Sequence, residues 1–213
     1  MRILIIGAGG VGSSAALIAA RRDFYEHIVI GDYDGDRAAA LVARIGDDRF
    51  SAIQIDASVA QAVAQACREH QITHVLNVVD PRFVMSIFEG AFLAGADYLD
   101  TAMSLSSAHP EKPHELTGVK LGDDQFAMAD AWEAKGRLAL VGIGVEPGMV
   151  DVFARYAADH LFSEIDELGV RDASDLVVHG YEFAPSFSIW TVIEECLNPP
   201  VIWEKDKGWY TTE

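Results

Sequence analysis

Met1-Arg-Ile-Leu-Ile-Ile6-Gly7-Ala-Gly9-Gly10-Val11-Gly12 opens the chain, an apolar run that breaks into four glycines within six residues. The residues from Ile3 to Ile6 read as a strand buried on both faces, as the central strands of parallel sheets are. Gly7 supplies the tight turn off that strand, Gly9 leaves room for a pyrophosphate to approach the backbone, and Gly12 lets the next helix pack closely on the sheet. That helix, expected from about Gly10 to Arg22, starts without charge, so its free N–H groups and dipole can face an anion. Gly7, Gly9, Gly10, Val11 and Gly12 are therefore candidate dinucleotide contacts.

The next segments fit this start. His27 to Ile30 reads as a second buried strand ending in Gly31-Asp32-Tyr33-Asp34, with Asp32 twenty residues past Gly12. A carboxylate at that place accepts hydrogen bonds from ribose hydroxyls and repels a 2′-phosphate, a repulsion to which Asp34 adds. NAD is favoured as cofactor, with NADP possible. Arg37 has two readings, a ligand for a 2′-phosphate and, the one adopted, a solvated residue in the first turn of the following helix. That helix runs to Ile45, capped by Asp34 or Asp36 and stopped by Gly46.

Phe50 to Ile55 reads as a third strand, and Asp56-Ala57-Ser58 leads into an amphipathic helix from Val59 to about His70. Asp56 either caps that helix or borders an adenine ring. Thr73 to Val79 is a fourth strand lying beyond the topological switch point, which makes Asn77 and Val79 candidate neighbours of the nicotinamide half. A helix from Arg82 to Ala94 follows, stopped by Gly95, and then a fifth strand, Ala96 to Thr101, carries polar residues at its carboxyl end. Asp100 there has two readings: it positions a substrate ammonium or the nicotinamide ribose, or it anchors a loop. Residues 102–122 show little periodicity. His109 and His114 in that stretch lack the companions of a metal ligand set and read as part of a solvated loop or mobile lid. Asp123-Asp124 is expected to cap a helix through Ala134, and Arg137 to Ile143 to supply a sixth strand.

The alternation of strands and helices with short links predicts a doubly wound parallel sheet over residues 1–145. A second domain is expected over 146–213, with a helix from Met149 to Leu161 and a strand from Ile165 to Val170. Polar loops follow at His179 to Phe183 and Ser186 to Ser188, then a helix from Ile189 to Leu197 and a hairpin turning at Asp206 to Gly208. So small a domain cannot bury its own sheet, which predicts a chain continuing past Glu213 or leaning on a partner.

Composition narrows the partners. A formal charge of -17 excludes nucleic acid and anionic membranes as partners drawn by long-range forces. No apolar run approaches the ~18 residues that span a bilayer. The two cysteines, Cys67 and Cys196, lie in segments read as helical, which points to no disulfide framework and to a reducing cytoplasm.

Several segments together resemble the saccharopine dehydrogenase family, which includes saccharopine reductases, lysine dehydrogenases and carboxynorspermidine dehydrogenases. The resemblance is carried by Gly7 to Gly12, Asp56-Ala57, Tyr98-Leu99-Asp100-Thr101, Gly144-Val-Glu-Pro-Gly148 and His179-Gly-Tyr-Glu-Phe183. It implies an α/β Rossmann domain followed by the start of a second α+β domain with a mixed sheet, and a homodimer. It also implies hydride transfer at a carbon–nitrogen bond of an amino acid or polyamine. The resemblance places the cofactor on Gly7, Gly9, Gly10, Gly12, Asp32 and Asp56, and the reaction cleft near Asn77, Asp100 and Thr101. His179 or Glu182 would carry a proton or hold substrate. Members of the family run beyond 213 residues, and those using NADP have Ser or Thr plus a basic residue where this chain has Asp32-Tyr33-Asp34. Two other readings are a non-enzymatic dinucleotide sensor and a fragment that binds cofactor without reacting.

Overall fold

The computed structural model describes residues 1–171, 173, 177–182, 184 and 189–212. Their first elements are β1 (Arg2–Ile6), α1 (Gly10–Ala19), β2 (His27–Asp32), α2 (Gly35–Ile45), β3 (Phe50–Gln54), α3 (Ala60–Glu69) and β4 (His74–Asn77). A 3-10 turn at Pro81–Phe83 leads into α4 (Val84–Ala94), followed by β5 (Asp97–Asp100), α5 (Asp123–Phe126), α6 (Ala129–Ala134) and β6 (Ala139–Leu140). The chain then gives α7 (Met149–His160), α8 (Ile189–Leu197), β7 (Val201–Glu204) and β8 (Gly208–Thr211). It gathers into two compact units, Met1–Ser104 with Gly122–Met149, and Leu105–Leu121 with Val150–Glu213. No helix among the described residues is long and apolar enough to cross a membrane.

In the first unit, β1 to β6 form one parallel sheet of order β3-β2-β1-β4-β5-β6. Both directions of growth start from β1, so β1 and β4 flank the switch point. Side-chain alternation between two buried faces explains why this strand is apolar from Ile3 onward. Leu4 and Ile6 join a core with Val63 and Cys67 of α3, Ile87, Phe88 and Ala91 of α4, Tyr98 and Trp132. Ile5 faces the other way and joins Ile28, Ile30, Ala16 of α1, and Ala38 and Leu41 of α2. Burial raises the Cys67 thiol pKa to about 12, so this cysteine behaves as a small apolar residue.

The helix stops fall as their glycines predict: Gly46 and Gly95 close α2 and α4 in the left-handed conformation. Asp34 caps α2 by accepting from the Asp36 and Arg37 amides.

Three expectations are corrected. The sixth strand, read over Arg137 to Ile143, is only Ala139–Leu140, because Gly142 turns to φ +69° and gives its N–H to the side chain of Asp100. The helix read over Asp123 to Ala134 breaks into α5 and α6. Met128 and Ala131 donate three residues back, to Gln125 and Met128, and so interrupt the α-helical register. Gly122 occupies the cap position of α5, with Asp123 and Asp124 inside the first turn.

The second unit contains an antiparallel hairpin, β7 with β8, in which Trp203 faces Trp209 across the strands. Its turn carries Asp206 at φ +71° and Gly208 at φ +80°. The segment from Ile165 to Val170, read as a strand, is irregular. Its apolar residues are spaced at Ile165, Leu168 and Val170, which fails to alternate strictly, and the strand lacks a partner among the described residues. Ser186 to Ser188 and Phe183 lie outside the described residues.

The Phe88 ring sits between Tyr98 and Trp132, with centroids 5.0 Å and 4.9 Å away. Phe88→Ala should cost about 3–5 kcal/mol of stability, read as a lowered urea midpoint, because the two neighbouring rings cannot both collapse into the space.

Candidate dinucleotide site

The glycine turn is set by the approach of α1 to β1. Gly7 sits at φ +111° and donates its N–H to the Gly31 carbonyl at 2.8 Å, so the end of β1 stays tied to β2. A methyl on Gly12 would lie 1.8 Å from the Gly7 carbonyl oxygen, which excludes any larger residue where the helix crosses the turn. Gly9 and Gly10 contrast with these: a Cβ on either meets nothing within 4 Å. Gly9 takes an ordinary extended backbone at the cap of α1, so its missing side chain is not demanded by the fold. The open face of this turn is the cradle that a pyrophosphate would fill, and the residues fit that group. Val11 is exposed beside it.

Asp32 closes the floor of the cradle. It is only 8% exposed, and both oxygens are engaged: Oδ2 accepts the Ala8 N–H at 2.8 Å and Oδ1 the Asp34 N–H at 2.9 Å. The Arg37 guanidinium lies 3.6 Å from Oδ1. One carboxylate thus holds the first strand-to-helix turn against the second.

Asp56, at the end of β3, is exposed and accepts from the Ser58 N–H at 3.0 Å and the Ser58 hydroxyl at 2.6 Å, bonds that hold its pKa below the usual carboxylate value. The cap of α3 is Val59, without a side-chain bond, so Asp56 forms a local turn instead of capping that helix. The carbonyl of Ala57 accepts from the Ser86 hydroxyl at 2.6 Å, which ties this loop to α4.

At the carboxyl ends of β4 and β5 lies a buried polar network. Asn77 is 2% exposed; its Oδ1 accepts the Val79 N–H at 3.2 Å and its Nδ2 donates to the Tyr98 hydroxyl at 2.9 Å. Tyr98 donates to Asp100 Oδ2 at 2.9 Å, and Gln125 Nε2 donates to the same oxygen at 2.8 Å. Oδ1 of Asp100 accepts the Gly142 N–H at 2.6 Å. Gln125 also accepts the Ser104 N–H at 2.8 Å.

Asp100 is 1% exposed, and three residues, Tyr98, Gln125 and Gly142, frame its side chain. Burial raises its pKa, against the opposing pull of the bonds from Gly142, Gln125 and Tyr98. Burial, with the charge of Asp100 behind it, also pushes the Tyr98 phenol up. Thr101, the next residue, is half-buried.

The parallel sheet therefore brings Gly7 to Gly12, Asp32, Asp56, Ala57, Asn77, Val79, Asp100 and Thr101 to one edge, the carboxyl ends of its strands. His179 and Glu182 are exposed residues of the second unit. Sequence reasoning missed Gln125 and the Arg37–Asp32 pair. Gln125 left one signal, a polar residue seven positions before Trp132 and so on the same inward face of a helical segment.

A 3-2-1-4-5-6 parallel sheet with an open glycine turn at its switch point defines a dinucleotide-binding Rossmann domain. The profile of the saccharopine dehydrogenase NADP binding domain matches residues 3–140, and the chain belongs to that family. It is 31% identical, over 96% of its length, to carboxynorspermidine synthase of Vibrio cholerae. It is 28% identical, over 88% of its length, to carboxyaminopropylagmatine dehydrogenase of a Synechocystis species. These alignments cover 50% and 45% of the two relatives, so the chain spans about half the length of the curated relatives it matches. Among solved structures, apo saccharopine dehydrogenase (L-Glu forming) of Saccharomyces cerevisiae superposes with a TM-score of 0.57 at 17% identity. That match covers 75% of this chain and 31% of the yeast chain, and it is a likeness of fold.

Folding raises the Asp100 pKa, so the folded chain binds that proton more readily than the unfolded one. Lowering the pH from neutral through the raised value adds stability through this group, the reverse of Asp80, which a hydrogen bond from Arg82 holds low. Asp100→Asn turns an acceptor into a donor facing Tyr98 and Gln125, and should cost about 1–3 kcal/mol. The gap between wild type and variant in urea unfolding should widen as the pH is lowered from neutral.

Proposed function

We propose that this chain binds a nicotinamide dinucleotide, NAD in preference to NADP. We further propose that it serves an oxidoreductase transferring hydride at a carbon–nitrogen bond of an amino acid or a polyamine-derived imine. The observation that carries the reading is the open cradle at Gly9, floored by the fixed carboxylate of Asp32, in a chain of this family. When bound, the nicotinamide supplies or accepts the hydride.

The chain's own residues then have distinct tasks. The turn from Gly9 to Gly12, past the Gly7 and Ala8 amides that β2 already holds, presents backbone N–H groups to the pyrophosphate, Asp32 receives the adenosine ribose, and Asp56 and Ala57 border the adenine. Asn77 and Val79 edge the nicotinamide side. Asp100 is a positioning residue, acting through Tyr98 on Asn77 and through Gly142 on the strand beyond. Thr101, less buried than Asp100, supplies a hydroxyl to the cleft, and His179 or Glu182 moves the proton on nitrogen or holds substrate.

An amine substrate suits the electrostatics. A net charge of -17 draws cations, and a polyamine is a flexible cation of the kind named in the two relatives.

Gly9→Val separates binding from folding. Because the position is open and its backbone ordinary, the variant should keep its thermal midpoint within a few degrees while its affinity for NADH falls more than about tenfold. The wild-type chain titrated with NADH and NADPH should bind NADH more tightly. A panel of amines and carbonyl acids should then produce amine-dependent oxidation or reduction of the nicotinamide. Absence of binding to either dinucleotide would sink the reading; binding without turnover on any substrate would favour the dinucleotide-binding protein without catalysis.

A further inference from the structure

We propose that Arg37 is a latent ligand for a 2′-phosphate, held out of that role by Asp34, so that cofactor choice is set by the Asp34–Arg37 pair and not by Asp32 alone. The proposal rests on the reading of the glycine turn and Asp32 as a dinucleotide site.

The three acidic residues after β2 differ in what they are free to do. Asp32 is committed: it is buried, and each oxygen accepts a backbone N–H, from Ala8 and from Asp34. It cannot swing aside for a phosphate without releasing the turn it holds. Asp34 is half-exposed, and its Oδ1 accepts the Asp36 and Arg37 amides at 3.1 Å each, which caps α2. An asparagine oxygen can accept those same two bonds and carries no charge.

Arg37 stands in the first turn of α2 with its side chain 57% exposed. Its guanidinium lies 3.6 Å from Asp32 Oδ1 and 3.9 Å from Asp34 Oδ2. Both separations are those of ion pairs beyond hydrogen-bond length, and among the described residues no guanidinium N–H is committed to a hydrogen bond. A planar fork of donors beside the ribose-facing carboxylate is the group that a phosphate dianion takes. What cancels it is local charge: Asp32, Asp34 and Asp36 outnumber the one cation within six residues. Asp32 must stay for the backbone, whereas the charge of Asp34 serves no bond that a neutral side chain could not make.

The test measures the affinity of the 213-residue chain for NADH and NADPH by calorimetric titration, in wild type, Asp34→Asn, Arg37→Ala and the double variant. Asp34→Asn should tighten NADPH binding about tenfold, the scale of one hydrogen bond to a charged group. The double variant should lose that gain, and Arg37→Ala alone, with Asp34 still in place, should leave the NADPH affinity within about twofold of wild type. Asp34→Ser, which also caps, replaces Asp34→Asn if the latter fails to fold by circular dichroism. An unchanged NADPH affinity in the capped variant overturns the proposal, as does a gain that survives removal of Arg37. If wild type binds neither dinucleotide, it is the reading of the glycine turn as a dinucleotide site that fails.

Discussion

One buried carboxylate joins the first two strand-to-helix turns of this chain. Asp32 accepts the Ala8 amide, one residue past the positive-φ turn at Gly7, and the Asp34 amide, at the start of the turn into α2. Beside it the Gly7 amide reaches the Gly31 carbonyl. Burying a charge this far is tolerated because two donors and a nearby guanidinium answer it. The cradle depends on this clamp: α1 can cross the end of β1 within a distance that admits no side chain on Gly12 only while the turn keeps its place. A pre-shaped turn needs no reordering when an anion arrives, and that saves binding energy.

A second carboxylate at the same level of the sheet does something else. Asp32 ends β2 and Asp100 ends β5. Asp100 is enclosed by Tyr98, Gln125 and Gly142, which tie β4, β5, α5 and the chain past β6 into one piece. Its raised pKa is the mark of enclosure, and enclosure keeps it from touching a ligand in this conformation. Of the residues proposed for catalysis, Thr101, His179 and Glu182 are each less enclosed than Asp100.

The parts legible from sequence were those written in local pattern. The run into Gly7, the twenty-residue interval to Asp32, the cap at Asp34 and the stops at Gly46 and Gly95 each lie within one turn or one βα unit, where periodicity and glycine chemistry are decisive. The illegible parts were contacts between distant residues. Gln125 meets Asp100 across 25 positions and Gly142 meets it across 42, and the second contact cuts the sixth strand to two residues. Arg37 is exposed in the first turn of α2, as its position in the sequence suggests, but nothing in a helix's first turn shows which carboxylate of the preceding strand lies beside it. The apolar residues from Ile165 to Val170 suggested a strand, yet a strand needs a partner, and sequence names none.

The turn after β2 is where frame and recognition part. Its backbone is fixed by two conditions, an acceptor at Asp32 for the Ala8 and Asp34 amides and an acceptor at Asp34 for the first amides of α2. Neither condition mentions the charge that faces outward. The NADP binding domain profile matches residues 3–140, and the two backbone conditions leave the charge carried by this turn free to vary. Asp32-Tyr33-Asp34 satisfies the frame and, in the same three residues, surrounds a cation with acids. On the proposed reading, preference between the two dinucleotides is a surface property on a rigid support, and it can change without a change of fold.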